Sequence, residues 1–156
     1  MSFTFRAGWC RLKLSVGGEV AVYRATGIED NFFADLVRAV AHIASGGAVA
    51  TVLWGDEPGG VFLDFGRSGP DHAAIAVHEL GLPEWLTPAD PPWIPVRGNA
   101  VVAARIPVVT FLTAFMDAFA DVRESAPEGP IPGWCGGVPK PEFEAIRHEI
   151  HRRRSA

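Results

Sequence analysis

Acid–base or metal chemistry could come from the five histidines and the acids near them. In a helix, Glu144, His148 and His151 share one face at i, i+4 and i+7. Three such side chains could hold zinc or nickel weakly. Because the same segment runs into the basic triplet Arg152-Arg153-Arg154, a solvated polar face is the favoured interpretation. We therefore expect neither a metal site nor a cofactor.

Acid and histidine side chains in the middle of the chain could form a general acid in a cleft. The candidate pairs combine Asp64, Glu57 or Glu79 with His72 or His78. Asp64 can face one of the histidines across a predicted hairpin, although a slip of one residue reverses the face. Scattered histidines form such pairs by chance, so an enzyme is the alternative and not the first hypothesis.

The sequence lacks the motifs of the common catalytic and nucleotide-binding sites. It has no glycine-rich phosphate loop ending in Gly-Lys-Ser/Thr, no Gly-x-Gly-x-x-Gly, no His-Glu-x-x-His, no Gly-x-Ser-x-Gly and no Cys-x-x-Cys. Its two cysteines, Cys10 and Cys135, lie far apart in identical Gly-Trp-Cys triplets. We expect two buried thiols and not a disulfide, and the sequence leaves open whether they meet.

The most distinctive segment is the acidic turn Trp54-Gly55-Asp56-Glu57-Pro58-Gly59. Trp54 beside Asp56 and Glu57 would offer an aromatic anchor and negative charge to a basic protein partner. In the alternative, Trp54 lies in the core and the acids are merely solvated. Trp85 and Trp93, in the proline-rich stretch from Gly81 to Arg97, either cover the core or line a groove.

Composition narrows the classes of partner. The chain has 156 residues, with 14 Lys and Arg against 18 Asp and Glu, a net charge of −4. This balance disfavours nucleic acid. No apolar run approaches the ~18 residues that a membrane span needs, and no secretory signal is recognisable. We expect a single globular domain over residues 1–156, in the cytoplasm.

Hydrophobic periodicity predicts strands, helices and the fold class. Period-2 alternation predicts strands at Trp9–Val16, Glu19–Ala25, Ala48–Trp54, Gly60–Phe65, His72–His78 and Asn99–Arg105. Period-3.6 stripes predict helices from Asp30 to Gly46, from Pro107 to before Pro127, and from Pro141 onward. Tight turns between the strands favour an α+β fold: a single, mostly antiparallel sheet of five to six strands, with about three helices packed on one face.

About half of the chain resembles a family of small, largely uncharacterised actinobacterial proteins. The resemblance runs from Phe32-Phe33-Ala34-Asp35-Leu36-Val37-Arg38-Ala39-Val40 through Ser45-Gly46 to the turn at Trp54–Gly59, and includes Trp134, Pro139 and the helix with Phe143. The pattern is a helix ending at a small residue and glycine, a strand leading to a Glu-Pro-Gly turn, and a meander. The stretch from Gly81 to Arg97 departs from it. Several such families are regarded as immunity proteins of toxin systems, and no catalytic residue comes with the resemblance.

The first hypothesis is therefore a non-enzymatic protein-binding module of the immunity or antitoxin kind. Asp56 and Glu57, with Trp54, Trp85 and Trp93, would cover a basic surface of a toxin. The alternative is a small-molecule binding protein or enzyme with a pocket between the sheet and the 81–97 loop. A structural role in an oligomer is the third reading, and the sequence does not give the oligomeric state.

Overall fold

The computed structural model describes residues 1–6, 9–16, 18–26, 32–56, 59–81, 96–125 and 139–156. Within these residues the chain forms seven strands and three helices. They are β1 (Ser2–Arg6), β2 (Trp9–Val16), β3 (Glu19–Thr26), α1 (Phe32–Ala44), β4 (Val49–Asp56), β5 (Gly59–Arg67), β6 (His72–Gly81), β7 (Val96–Pro107), α2 (Val108–Ser125) and α3 (Lys140–Arg154). The α+β class is confirmed. Each predicted strand and helix is present, with bounds shifted by up to three residues.

The described strands form two antiparallel sheets, so the expected single sheet of five to six strands is wrong. The three-stranded sheet has the order β1-β2-β3, and the four-stranded sheet has the order β4-β5-β6-β7. Every neighbour is the next strand in the sequence. Two to four residues separate the strands of each pair except β6 and β7, between which residues 82–95 lie. The prediction failed because alternation in the sequence identifies a strand but does not show which other strand lies beside it. The two sheets share no strand pairing in the described residues.

The strand β1 was not predicted, and it supplies part of the core. Phe3 pairs with Leu12 of β2, and both side chains are buried. The alternation is present from Ser2 to Arg6, but five residues give a weak period-2 signal. The first sheet therefore has three strands, whereas the sequence predicted only β2 and β3 in this region.

A cluster of phenylalanines joins elements that are distant in the sequence. Phe3 meets the Phe33 ring edge-on, with the ring centroids 5.4 Å apart. Phe119 of α2 stacks on Phe33 of α1 and on Phe143 of α3, at centroid distances of 5.6 and 3.9 Å. Such ring pairs add to the energy of burying their area. The predicted apolar stripes of all three helices are thus buried against one another and against β1.

Helix α1 ends at the predicted glycine turn, which sets the direction of β4. Gly46 has a φ of 93°, the left-handed conformation that glycine adopts without steric cost. The N–H of Gly47 donates to the carbonyl of His42 at 2.8 Å. The chain then returns along the helix, because the Phe32 ring at the start of α1 lies against Gly55 near the end of β4. Helix α1 and strand β4 are therefore antiparallel neighbours.

The described residues also bear on membrane spans and on the cysteines. No described helix combines the length and the apolar composition that crossing a membrane requires. Cys10 is a free, fully buried thiol, and burial raises its pKa. Cys135 lies outside the described residues, so whether the two cysteines meet stays open.

Candidate functional site

An open groove runs between α1 and the outer edge of β4. Its volume is about 570 Å³, within the range of ligand-binding clefts. The residues that line it are Phe32, Asp35, Arg38, Ala39 and His42 from the helix and Ala50, Thr51, Val52 and Leu53 from the strand. One wall is therefore a helix surface, and the other is the backbone of an edge strand.

The backbone of β4 leaves alternate hydrogen-bonding groups directed into this groove. The N–H of Arg67 in β5 donates to the carbonyl of Ala48 at 2.8 Å. In an antiparallel ladder the hydrogen-bonded pairs recur at every second residue, so Ala50 and Val52 also bond to β5. The N–H and C=O groups of Val49, Thr51 and Leu53 then point away from β5. Among the described strands only β5 is hydrogen-bonded to β4, while β3 lies close to β4 without forming a ladder with it.

Charged side chains of α1 form the rim of the groove. Arg38 donates to Asp35 at 2.8 Å, and both side chains are more than half exposed. An exposed pair of this kind contributes about 0.3–0.5 kcal/mol, so either charge can turn towards a partner at little cost. Asp35 lies nearer the start of α1 and therefore nearer Leu53. Arg38 and His42 lie towards the other end, beside Ala50.

The side chain of Thr51 belongs to a polar cluster on the outer face of the four-stranded sheet. Its hydroxyl donates to Asp64 at 2.5 Å. Arg97 of β7 holds the same carboxylate with two hydrogen bonds of 2.8 Å, and its guanidinium lies 4.9 Å from the centre of the Phe62 ring. The hydrogen bonds from Arg97, and then from Thr51, lower the pKa of Asp64 although burial opposes them. The carboxylate stays ionised and binds β4 and β7 to β5.

His78 approaches this cluster, so it is the histidine that faces Asp64 across the β5–β6 hairpin, a point that the sequence left open. Its Nε2 lies 3.6 Å from Asp64, and its Nδ1 lies 3.4 Å from the carbonyl of Gly98. Both ring nitrogens thus face oxygen acceptors, and the Asp64 oxygens are bound by Arg97 and Thr51. Because Arg97 and Thr51 already hydrogen-bond the Asp64 oxygens, we interpret this arrangement as one that joins the strands of the sheet. His72 does not join the cluster; it lies six residues away on β6, where it pairs with Pro107.

Trp54 is fully buried on the inner face of β4. This is the core position that the sequence offered as the alternative to an exposed binding anchor. Its indole N–H has no hydrogen-bond partner in the described part of the chain, and burying a donor in that way costs about 1–3 kcal/mol. The tryptophan therefore packs in the core and does not present its ring to a partner in this structure.

Of the other predicted binding residues, the structure describes only the backbone of Asp56. Asp56 is the last residue of β4 and pairs through its backbone with Gly59, so the predicted acidic turn begins at the end of β4. The Asp56 side chain and Glu57, Trp85 and Trp93 lie outside the described residues. The same is true of the pocket expected between the sheet and the 81–97 loop, because residues 82–95 are not described. These assignments stay predictions.

The C-terminal helix uses its acids in ion pairs. Glu144 accepts from Arg147 at 2.7 Å, while His148 and His151 are exposed. The described residues include no group of three or more histidine, cysteine or acidic side chains placed to hold a metal ion. Glu149, which the sequence analysis did not single out, is the buried acid of α3. Its signal was present, because two arginines follow it at i+3 and i+4 and Ile146 precedes it by three residues.

Glu149 is the centre of an ion cluster that attaches α3 to the β5–β6 turn. Arg152 donates to it at 2.7 Å and Arg153 at 2.5 Å, and Arg67 of β5 lies 3.8 Å away. The hydrogen bonds from Arg152, and then from Arg153, lower the pKa of Glu149 from 4.5 to about 2 against the opposing effect of burial. Arg153 also donates to the carbonyl of Pro70 at 2.8 Å and to Asp71 at 3.0 Å. The cluster is structural, since each described carboxylate in it already has an arginine partner.

Comparison of the chain with known protein families, with curated proteins and with solved structures finds no match. The resemblance to immunity proteins therefore stays a prediction. The groove was not predicted from the sequence, because nothing in the alternation of residues 48–54 shows that β4 lies at the end of its sheet. Among the described residues, this groove carries exposed charges of both signs on its rim.

Proposed function

We propose that this protein is a protein-binding module of the immunity-protein kind. It engages its partner through the groove between α1 and β4 and through the adjoining turn at Asp56 and Glu57. The observation that supports this most is the groove itself, which is open and carries the exposed charges of Asp35 and Arg38 on its rim. Exposed charges of both signs around an open groove give specificity to the binding of a protein surface.

Charge indicates the chemistry of the partner. The chain carries a net charge of −4, and two of its acids lie at the turn that continues the edge. A basic protein surface would be drawn to this region and oriented by it. The His78–Asp64 pair, which the enzyme alternative would need in an enclosed chamber, lies on the partly exposed outer face and is already satisfied.

The test uses the protein encoded next to this one as the candidate partner, with binding measured by isothermal titration calorimetry. We expect the double variant Asp56→Lys with Glu57→Lys to bind about tenfold or more weakly, mainly through slower association. A matched control reverses two exposed helix acids, Asp117→Lys with Glu144→Lys, and so makes the same change in net charge. We expect this control to retain most of the affinity.

Two results would contradict the proposal. If the wild-type protein binds neither neighbouring gene product, and none of its partners in native cells is a protein, the immunity-type function is wrong. If both double variants lose affinity equally, net charge alone explains the effect and the turn has no special part in recognition.

A further inference from the structure

We infer that the outer face of the three-stranded sheet is a second interaction surface, which binds an acidic amphipathic helix of a protein partner. This surface lies on β1, β2 and β3 and not on the groove beside β4, so it goes beyond the proposed function and does not depend on it. The inner face of the same sheet belongs to the core, where Phe3, Leu12 and Leu14 are buried. The residues that alternate with them therefore point away from the core.

The outer face carries cations and valines side by side. Strand β2 exposes Arg11 and Lys13, and β3 exposes Val20 and Val22 at 56% and 50%. In the register of the hairpin, Lys13 lies opposite Val22, and Arg11 lies opposite Arg24, a third exposed cation. No acid is present among the described outward positions, which are Ser2, Thr4, Arg11, Lys13, Ser15, Val20, Val22 and Arg24. Exposed apolar side chains grouped in this way are typical of an interaction site.

Two of these cations have no acceptor within the described part of the chain. Arg11 and Lys13 form neither an ion pair nor a side-chain hydrogen bond there. By contrast, Arg97 binds Asp64 and Arg153 binds Glu149. The whole chain has a net charge of −4, so this face has the opposite sign to the protein as a whole. An acidic partner would complement it.

The spacing of the side chains matches one side of a helix. Arg11 and Lys13 are two residues apart on one strand, or about 6.8 Å. Acidic residues at i and i+4 of a helix are about 6 Å apart along its axis, so a helix that runs along β2 places one acid near each cation. An apolar stripe beside these acids then covers Val20 and Val22 of β3. The face therefore fits an amphipathic helix whose apolar stripe has an acidic border.

The approach of β3 to β4 leaves this face accessible. Strand β3 lies close to β4 and β5, yet Val20 and Val22 remain half exposed or more. Tyr23 and Ala25 alternate with these valines and pack against the core. The side of β3 that the valines share with β2 is thus the solvent side.

A protein helix fits this face better than a nucleic acid or a membrane. Three cations are few beside the roughly six to ten phosphate contacts of a typical DNA-binding protein. The described outward side chains also offer no aromatic ring on which a base could stack. A basic surface that binds anionic lipids carries about four to eight lysines and arginines.

The experiment uses two capped synthetic peptides. The acidic peptide is Leu-Glu-Gln-Ala-Leu-Glu-Gln-Leu-Glu-Ala-Gln-Leu-Glu-Gln, and the basic peptide has Lys in place of every Glu. We expect the wild-type protein to bind the acidic peptide at least about tenfold more tightly in NMR titrations at up to about 1 mM peptide. The amide signals of Arg11, Lys13 and Val22 should shift, and those of Ala74 and Ala76 on the other sheet should not.

Two double variants separate the charged and apolar parts of the surface. Arg11→Glu with Lys13→Glu should reverse the preference between the peptides. Its matched control, Lys140→Glu with Arg147→Glu, makes the same change in net charge at exposed positions of α3 and should keep the preference.

The apolar part is tested with Val20→Thr and Val22→Thr together, which keep β-branched side chains in the strand. We expect this variant to bind the acidic peptide at least about threefold more weakly, because less apolar area is buried. It also keeps the inference testable if the charge-reversed variant does not fold.

Three outcomes would overturn the inference: no binding of the acidic peptide, an unchanged preference after the charge reversal on β2, or full affinity in the threonine variant. The helix is also the wrong occupant if single-stranded oligothymidylate or phosphatidylserine vesicles bind the wild-type protein more tightly than the acidic peptide does, and the charge reversal abolishes that binding. The proposed function is tested at Asp56 and Glu57, so either conclusion can fail while the other stands.

Discussion

Replacing Glu149 with glutamine is expected to lower the free energy of unfolding by about 2 kcal/mol at pH 7. The glutamine keeps the size of the side chain but removes the charge that faces Arg152, Arg153 and Arg67. The Arg67 and Arg153 side chains are only 14% and 15% exposed. Without the carboxylate they would lie close to each other with too little water to screen their repulsion.

The magnitude follows from the pKa of Glu149. A shift from 4.5 to about 2 corresponds to about 3 kcal/mol of stabilisation of the ionised form. Arg152 provides part of that shift and is 56% exposed, so screening by water reduces the expected value to about 2 kcal/mol. Because the pKa is lower in the folded chain than in the unfolded chain, this contribution is complete above pH 4.5 and is lost as the pH falls towards about 2.

Urea unfolding followed by circular dichroism, at pH values from 7 to about 3, measures the effect. The matched control is Glu144→Gln on the same helix, which removes an exposed i,i+3 pair with Arg147 and should cost less than about 0.5 kcal/mol. The difference between wild type and Glu149→Gln should shrink on acidification. Equal costs for the two variants, or a difference that does not change with pH, would refute the reasoning.

Three further changes test other parts of the fold, each by urea unfolding. Phe119→Ala should cost about 3–5 kcal/mol, because Phe119 stacks on both Phe33 and Phe143; a cost below about 1 kcal/mol would contradict the packing described. Gly46→Ala should cost about 1 kcal/mol, since alanine is strained at a positive φ, and an unchanged midpoint would argue against that helix ending. Thr51→Val should cost about 1 kcal/mol by removing the hydroxyl that donates to Asp64; an unchanged midpoint would show that this hydrogen bond does not stabilise the sheet.

Local periodicity predicted the strands and helices well because each buries one side. Helix α1 shows this most clearly: its predicted stripe from Phe32 to Ala44 is the buried side, and its glycine turn follows as expected. Pairing between segments was harder to predict. Whether β3 continues into β4 depends on which edges meet in three dimensions, and neither strand carries that information in its own alternation.

The contacts of the candidate site were hard to predict for the same reason, because they join segments that are distant in the sequence. The sequence offered Asp64 with either His72 or His78 and left the face open; the register of the β5–β6 hairpin brings His78 to Asp64. Arg97, which holds Asp64 most firmly, lies 33 residues away, and two register shifts between β6 and β7 near His78 separate it from any simple count. The groove beside β4 depends on an unpaired edge, which only the assembled sheet defines.

The ion cluster at Glu149 also constrains how the chain reaches its native state. Arg153 binds Pro70 and Asp71, which precede it by 83 and 82 positions. These contacts therefore join residues with a large separation in the sequence. A ribosome adds roughly 5–20 residues per second, which leaves roughly 4–17 s between synthesis of Pro70 and of Arg153. During that interval the β5–β6 hairpin cannot form its ion pair and hydrogen bond with α3. The hairpin therefore gains these contacts late in biosynthesis, after Arg153 has been synthesised.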